Sequence, residues 1–139
     1  AILRLARNEA SGDVPPLPTE ITQDTIFTAR KEVLALHMAP AVEQYIVQLI
    51  MATREPAAFD ADLAGWLEFG ASPRATIALD RCARANAYLQ GRDYVSPDDV
   101  QAVAMDCLKH RLIVSFEAEA SGVTSAQAVE RLLSVVPIG

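Results

Sequence analysis

Three prolines punctuate this chain in the same way. Pro40, Pro73 and Pro97 each open a run in which apolar residues return every three or four positions. A proline at the first helical position loses nothing by lacking an N–H, and its fixed φ suits the first turn. Each one therefore marks a helix start. Val42, Tyr45, Ile46, Leu49, Ile50 and Thr53 follow Pro40, and that helix is expected to end near Arg54, before Pro56. Ile77, Ala78, Cys82, Ala85 and Leu89 follow Pro73, and Gly91 reads as a left-handed C-cap. Val100, Val103, Ala104, Cys107 and Leu108 follow Pro97, and the helix closes on His110-Arg111 at its negative dipole end.

Two more helices are marked by their caps. Thr22 opens one that runs to about Val33, with Ile21 and Ile26 placed as a hydrophobic staple. Thr124 opens the last, with Gln127 at the capping-box position and Val129, Leu132, Leu133 and Val136 as its apolar face. Ala57 to Phe69 fits a short helical turn or an ordered loop, in which Trp66 either meets a partner or covers the core. Leu112 to Phe116 has strand composition, but one short strand without a partner is not stable. It is expected as an extended segment packed over helices, followed by a loop from Glu117 to Gly122. The predicted fold is all-α, a small bundle of about five helices with a short extended segment after the fourth main helix. Residues 1–10 have helical order and residues 14–18, Val-Pro-Pro-Leu-Pro, form a stiff connector. The expected division is residues 1–20 as terminal helix and linker, and residues 21–139 as the compact domain. The chain starts on Ala-Ile-Leu-Arg and reads as a piece of a longer protein.

The balance of 12 Lys and Arg against 18 Asp and Glu, formally −6, argues against a nucleic-acid partner, which needs a basic footprint. No apolar run is long enough to span a bilayer, and the first residues lack signal-peptide order. Cys82 and Cys107 have no metal-ligand spacing and read as small buried residues of a reducing, cytoplasmic compartment. No phosphate-binding glycine loop, zinc-protease motif, CxxC pair or nucleophile elbow occurs. His37 reads as structural, and His110 either ends its helix or has a role of its own. Asp98 and Asp99 stand at the positive end of a helix, where capping accounts for them. No metal site is expected.

The stretch Gly70-Ala71-Ser72-Pro73-Arg74-Ala75 needs more explanation. Ser72 reads as N-cap and Pro73 as the first helical residue, so Arg74 lies in the first turn. A cation there gains nothing from the dipole. Either it is exposed and tolerated, or it is presented to a phosphate held by another domain. An arginine fork suits phosphate oxygens and the charge that builds up in phosphoryl transfer.

That stretch, then Ala83-Arg84-Ala85, then Gly91 through Val100, then His110-Arg111, together with Thr53-Arg54, resemble in this order the C-terminal part of MoxR-type AAA+ ATPases. The resemblance runs from about Ile21 to Pro137. It implies that residues 21–139 are the helical lid that follows a nucleotide-binding core, and that residues 1–10 close that core. It implies that Arg74 is the sensor-2 arginine, the catalytic residue here, and that it belongs to the nucleotide-binding set with Gly70, Ala71, Ser72 and Pro73. Gly70, Ala71, Ser72 and Pro73 would shape the turn that aims it. ATP and Mg2+ would belong to the full-length protein, with none held tightly by this chain and no turnover by it alone. The implied partners are the protein's own core, neighbouring subunits of a ring, typically a hexamer, and client complexes with von Willebrand factor A domains or metal centres. Cys82 and Asp80 depart mildly from the pattern. Arg92, His110 and Arg111 recur in it without an assigned role. The rival reading is a helical protein-interaction module with no nucleotide role.

Overall fold

The computed structural model describes residues 3, 7, 10–12 and 20–138. The expected terminal helix and the Val14–Pro18 connector lie mostly or wholly outside the described residues. From residue 20 the elements run α1 (Gln23–Ala35), β1 (His37–Met38), α2 (Pro40–Arg54), a 3-10 turn (Pro56–Ala58), α3 (Ala61–Trp66) and β2 (Leu67–Phe69). They continue as α4 (Arg74–Leu89), β3 (Tyr94–Val95), α5 (Pro97–Leu108), β4 (Ile113–Val114), α6 (Phe116–Ala120) and α7 (Ser125–Val135). Five of these helices are long and two are short, as a helical bundle of about five requires.

The caps form where the sequence placed most of them. The Thr22 hydroxyl accepts from the Thr25 N–H at 3.2 Å. Thr124 and Gln127 bond reciprocally, at 3.2 and 2.8 Å. Ile21 and Ile26 remain 65% and 49% exposed, so a staple is not what buries them. Gly91 takes φ +71 after α4, and the Arg92 N–H reaches back to the Ala87 carbonyl at 3.0 Å.

Two short strand pairs tie the helices together, and both correct the expectation. β1 pairs in parallel with β3, His37 against Tyr94 and Met38 against Val95. β2 pairs antiparallel with β4, Leu67 against Val114 and Phe69 against Ile113, with an irregularity between them. The extended segment after α5 therefore has a partner, supplied by the segment read as turn or loop. Ser115 seals the junction by donating from its N–H to the Trp66 carbonyl and from its hydroxyl to the Gly65 carbonyl, both at 2.8 Å. The same hydroxyl caps α6 by accepting from the Ala118 N–H, so the expected loop begins as a helix.

The core lies between α2, α4, α5 and α7. Tyr45, Ile46 and Leu49 of α2 meet Leu79 of α4, Val100 and Leu108 of α5, and Val129 and Leu132 of α7. Each such buried side chain contributes about 1.5–3 kcal/mol. The buried row of α4 is Ala75, Leu79, Ala83 and Ala87, four residues apart and without exposed surface. Three alanines in one row let α5 approach closely. α1 differs from the other long helices in having no buried residue. Tyr88 holds it by donating to Glu32 Oε2 at 2.6 Å, and Arg84 by donating to the Leu36 carbonyl.

Candidate functional site

The turn before Arg74 is fixed from below by the end of α2. Gly70 lies so close to Thr53 that a Cβ on it would sit 2.0 Å from the Thr53 carbonyl oxygen and 2.9 Å from the Arg54 nitrogen. Only glycine fits that approach. Ala71 is fully buried. Its N–H donates to Thr53 Oγ1 at 3.0 Å, and that hydroxyl donates on to the Ile50 carbonyl at 2.7 Å. Arg54 Nη1 lies 3.4 Å from the Ala71 carbonyl. Thr53 is 1% exposed, so this link is shielded from water.

From there the chain turns outward. Ser72, Pro73 and Arg74 are exposed. Pro73 has helical dihedrals, φ −55 and ψ −24, and the regular helix begins at Arg74. The Ser72 carbonyl accepts from the Ala75 N–H at 2.8 Å. Its hydroxyl does not cap the helix, which corrects the expected side-chain N-cap. The proline pre-sets the first turn, so the backbone closes it without that hydroxyl. Among the described residues neither the Ser72 hydroxyl nor the Arg74 guanidinium has a hydrogen-bond or ion-pair partner. An unpaired guanidinium thus stands at the positive end of a 16-residue helix. Both charges there favour an anion.

The five candidate residues are contiguous, and the structure adds Thr53 and Arg54 beneath them. Sequence order placed that pair in the family pattern, but no local signal showed that it contacts the turn. The other motif arginines are engaged within the fold. Arg84 pairs with Asp80 at 2.9 Å. Arg111 Nε donates to the Cys107 carbonyl at 2.8 Å, at the end of α5. Arg92 grips Asp99, which also accepts from Asn86 Nδ2 and from the Ser96 N–H, each at 2.8 Å. Asp99 is therefore a buried ion-pair partner as well as a cap, while Asp98 is exposed. The Arg92 hydrogen bonds hold the Asp99 carboxyl well below the usual range, against the effect of burial. His110 is exposed.

Cys107 is buried as expected, but Cys82 is exposed. The row at 75, 79, 83 and 87 faces the core, and Cys82 lies outside it. Among the described residues no group of three or more His, Cys, Asp or Glu could hold a metal ion, and no helix is long and apolar enough to cross a membrane.

Several apolar side chains remain exposed. Phe69 and Ile77 flank the Arg74 turn, at 61% and 53% exposure. Val47 and Met51 of α2 and Ile26, Phe27 and Leu34 of α1 are also exposed. A groove of about 420 Å³ runs between α1 and the second half of α4, with Val33, Leu34 and Leu89 in its wall and Arg30 and Arg81 along it. The Arg74 turn does not line that groove.

This fold has counterparts in known proteins. The AAA lid domain family matches residues 64–132. Chaperone MoxR1 of Mycobacterium tuberculosis is 34% identical over 129 residues, 91% of this chain and 34% of its own length. Protein MoxR of Paracoccus denitrificans is 40% identical over 84 residues, 57% of this chain and 25% of its own. A crystal structure of a candidate ATPase from Cytophaga hutchinsonii superposes with a TM-score of 0.82 at 38% identity, covering 86% of this chain and 36% of that one. The chain thus spans about a third of the length of the curated relatives it matches over most of its own length. By its helical lid fold and by these matches, the chain belongs to the MoxR family of AAA+ proteins, of which it represents a partial, C-terminal region.

Proposed function

We propose that this region is the lid of an ATP-hydrolysing protein, and that Arg74 is its sensor-2 arginine. The observation that carries the reading is an exposed guanidinium without a partner, on a turn locked to the buried end of α2. Such a cation is oriented by the fold and not consumed by it. In this reading a nucleotide-binding core holds ATP and Mg2+, and Arg74 meets the β and γ phosphates across the cleft. The exposed apolar side chains beside Arg74 and on α2 would then be covered by that core or by a neighbouring subunit of a ring, a hexamer in this reading. Nucleotide-driven lid movement would serve chaperone-like remodelling of a client, such as a complex with a von Willebrand factor A domain or a metal centre, in the cytoplasm. The name of the mycobacterial relative, a chaperone, supports that class of activity. This region alone would not turn over ATP, because one arginine does not position metal, water and triphosphate together.

The test is Arg74→Ala in the longer protein that carries this region. The expected result is at least roughly a tenfold loss in turnover or ATP affinity, the scale of a charge-assisted phosphate contact. Unchanged affinity and unchanged turnover would overturn the assignment. A second reading, a nucleotide-independent interaction module, draws on α1, which buries no residue of its own and borders the apolar groove. It expects Arg74→Ala to be silent and Leu34→Asp with Leu89→Asp to abolish partner binding.

A further inference from the structure

We propose that Thr53 is a positioning residue for Arg74: its hydroxyl fixes the register of the Gly70–Ala71 turn against the end of α2 and so sets where the guanidinium points. The inference rests on the nucleotide reading of Arg74 and extends it to a residue 18 positions upstream of the turn's buried amide. The Thr53 hydroxyl uses both its capacities, accepting from the Ala71 N–H and donating to the Ile50 carbonyl. The Ile50 carbonyl keeps its place in the α2 ladder, but the Ala71 N–H has no other acceptor among the described residues, so removing the hydroxyl leaves a buried amide unsatisfied. Gly70 makes the link directional. A Cβ on Gly70 would lie 2.0 Å from the Thr53 carbonyl oxygen, so the turn sits against fixed backbone and cannot slide inward. Without the hydroxyl it can only lift away, and Pro73 then carries the first turn of α4 with it as a stiff unit.

The chain between the clamp and the arginine is short. Ala71 is fully buried, and Ser72 and Pro73 are the residues between it and Arg74. A shift at Ala71 therefore reaches Arg74 nearly undamped. A misplacement of about 1 Å at a group that must meet a phosphate is enough to matter, of the order of a hundredfold in unfavourable cases. The Arg54 contact with the Ala71 carbonyl, at 3.4 Å, is long and only part-buried and does not substitute for the clamp.

The experiment is a double-mutant cycle in the longer ATPase. Thr53→Val keeps the shape and removes the hydroxyl. Thr53→Ser keeps the hydroxyl. Each is combined with Arg74→Ala, and ATP KM and kcat are measured alongside hydrogen exchange at the Ala71 amide and thermal unfolding. Thr53→Val is expected to raise ATP KM about fivefold, the factor of one lost hydrogen bond, and to speed Ala71 exchange. Thr53→Ser should restore both. In the Arg74→Ala background Thr53→Val should have no further effect on KM, because its route runs through that arginine. A further fivefold loss there would make Thr53 merely structural and overturn the proposal. So would a normal KM with Thr53→Val beside a large Arg74→Ala effect, which leaves the nucleotide reading intact. A silent Arg74→Ala would overturn both. If Thr53→Val does not fold, Thr53→Ser and Gly70→Ala carry the cycle: a normal KM in Gly70→Ala, or an impaired one in Thr53→Ser, is the overturning result.

Discussion

The Arg92 guanidinium binds both carboxylate oxygens of Asp99, through Nη1 to Oδ2 at 2.6 Å and through Nη2 to Oδ1. Asp99 is 1% exposed, and Arg92 follows Gly91 at the α4–α5 corner. One pair therefore joins the end of α4 to the start of α5. A bidentate geometry with further bonds from Asn86 and Ser96 satisfies the carboxylate on all sides. Such a pair contributes to stability only while the acid is ionised.

That condition gives a pH dependence. The Asp99 pKa is lowered on folding, first by Arg92, and the Asp60 pKa is lowered too, first by Arg131. Unfolded aspartate titrates at about 3.9. A depressed folded pKa means the contribution is full above that value and is lost as pH falls below it toward the folded value. Unfolding midpoints in denaturant should thus be flat from pH 7 to about 5 and should drop below about 4. Asp99→Asn should cost about 2 kcal/mol at pH 7, less than a fully buried pair because Arg92 is partly solvated, and should flatten the acid limb. An unchanged acid limb in that variant would contradict the assignment.

Gly70 and Gly91 should fail for different reasons. Gly70→Ala places a methyl group against fixed backbone, where the nearest atom is 2.0 Å away. It should cost about 2 kcal/mol or more and shift the Ala71 and Thr53 resonances. Gly91→Ala meets no atom within 4 Å and is penalised only by its φ of +71. Its cost should be about 1 kcal/mol, and Gly91→Asn should recover part of it. Chemical denaturation of the two variants distinguishes the mechanisms, since asparagine should not rescue position 70.

The thiols should separate by reactivity. Burial pushes Cys107 up to about 11, whereas Cys82 is open to solvent. At pH 8 a disulfide reagent should titrate one thiol quickly in the native chain and two after denaturation. Cys82→Ser should remove the fast phase, and Cys107→Ser should leave it. Two equally fast thiols would show that α4 and α5 open readily.

α1 should be the least protected long helix. It buries no residue, and among the described residues two side-chain hydrogen bonds tie it to the rest of the fold, Tyr88 to Glu32 and Arg84 to the Leu36 carbonyl. Its amides should exchange before those of α2, α4 and α5, and Tyr88→Phe should widen the gap. Equal protection across these helices would mean that the exposed face is already covered, by self-association for instance.

The sequence by itself determined the five long helices, because their signals are local, but not the short helix Phe116–Ala120, which it read as loop. A proline, a threonine cap or a left-handed glycine acts within one turn, and the apolar spacing names the buried stripe of α2, α5 and α7, but not of α4, where Ile77, Cys82 and Leu89 are exposed and the buried row is Ala75, Leu79, Ala83 and Ala87. It also singled out Arg74, since a cation at a helix start conflicts with the dipole wherever the helix lies. The tertiary structure decided what no local rule encodes. The partner of Ile113–Val114 lay in Leu67–Phe69, a segment with no strand pattern of its own. Asp99 looked like a cap until Arg92 and Asn86 closed around it. Thr53 was one more apolar-face position on α2 until the Ala71 amide arrived at its hydroxyl. Hydrogen-bond donors and acceptors do not announce distant partners, and a glycine does not say which backbone presses on it. Those relations exist only once the helices pack.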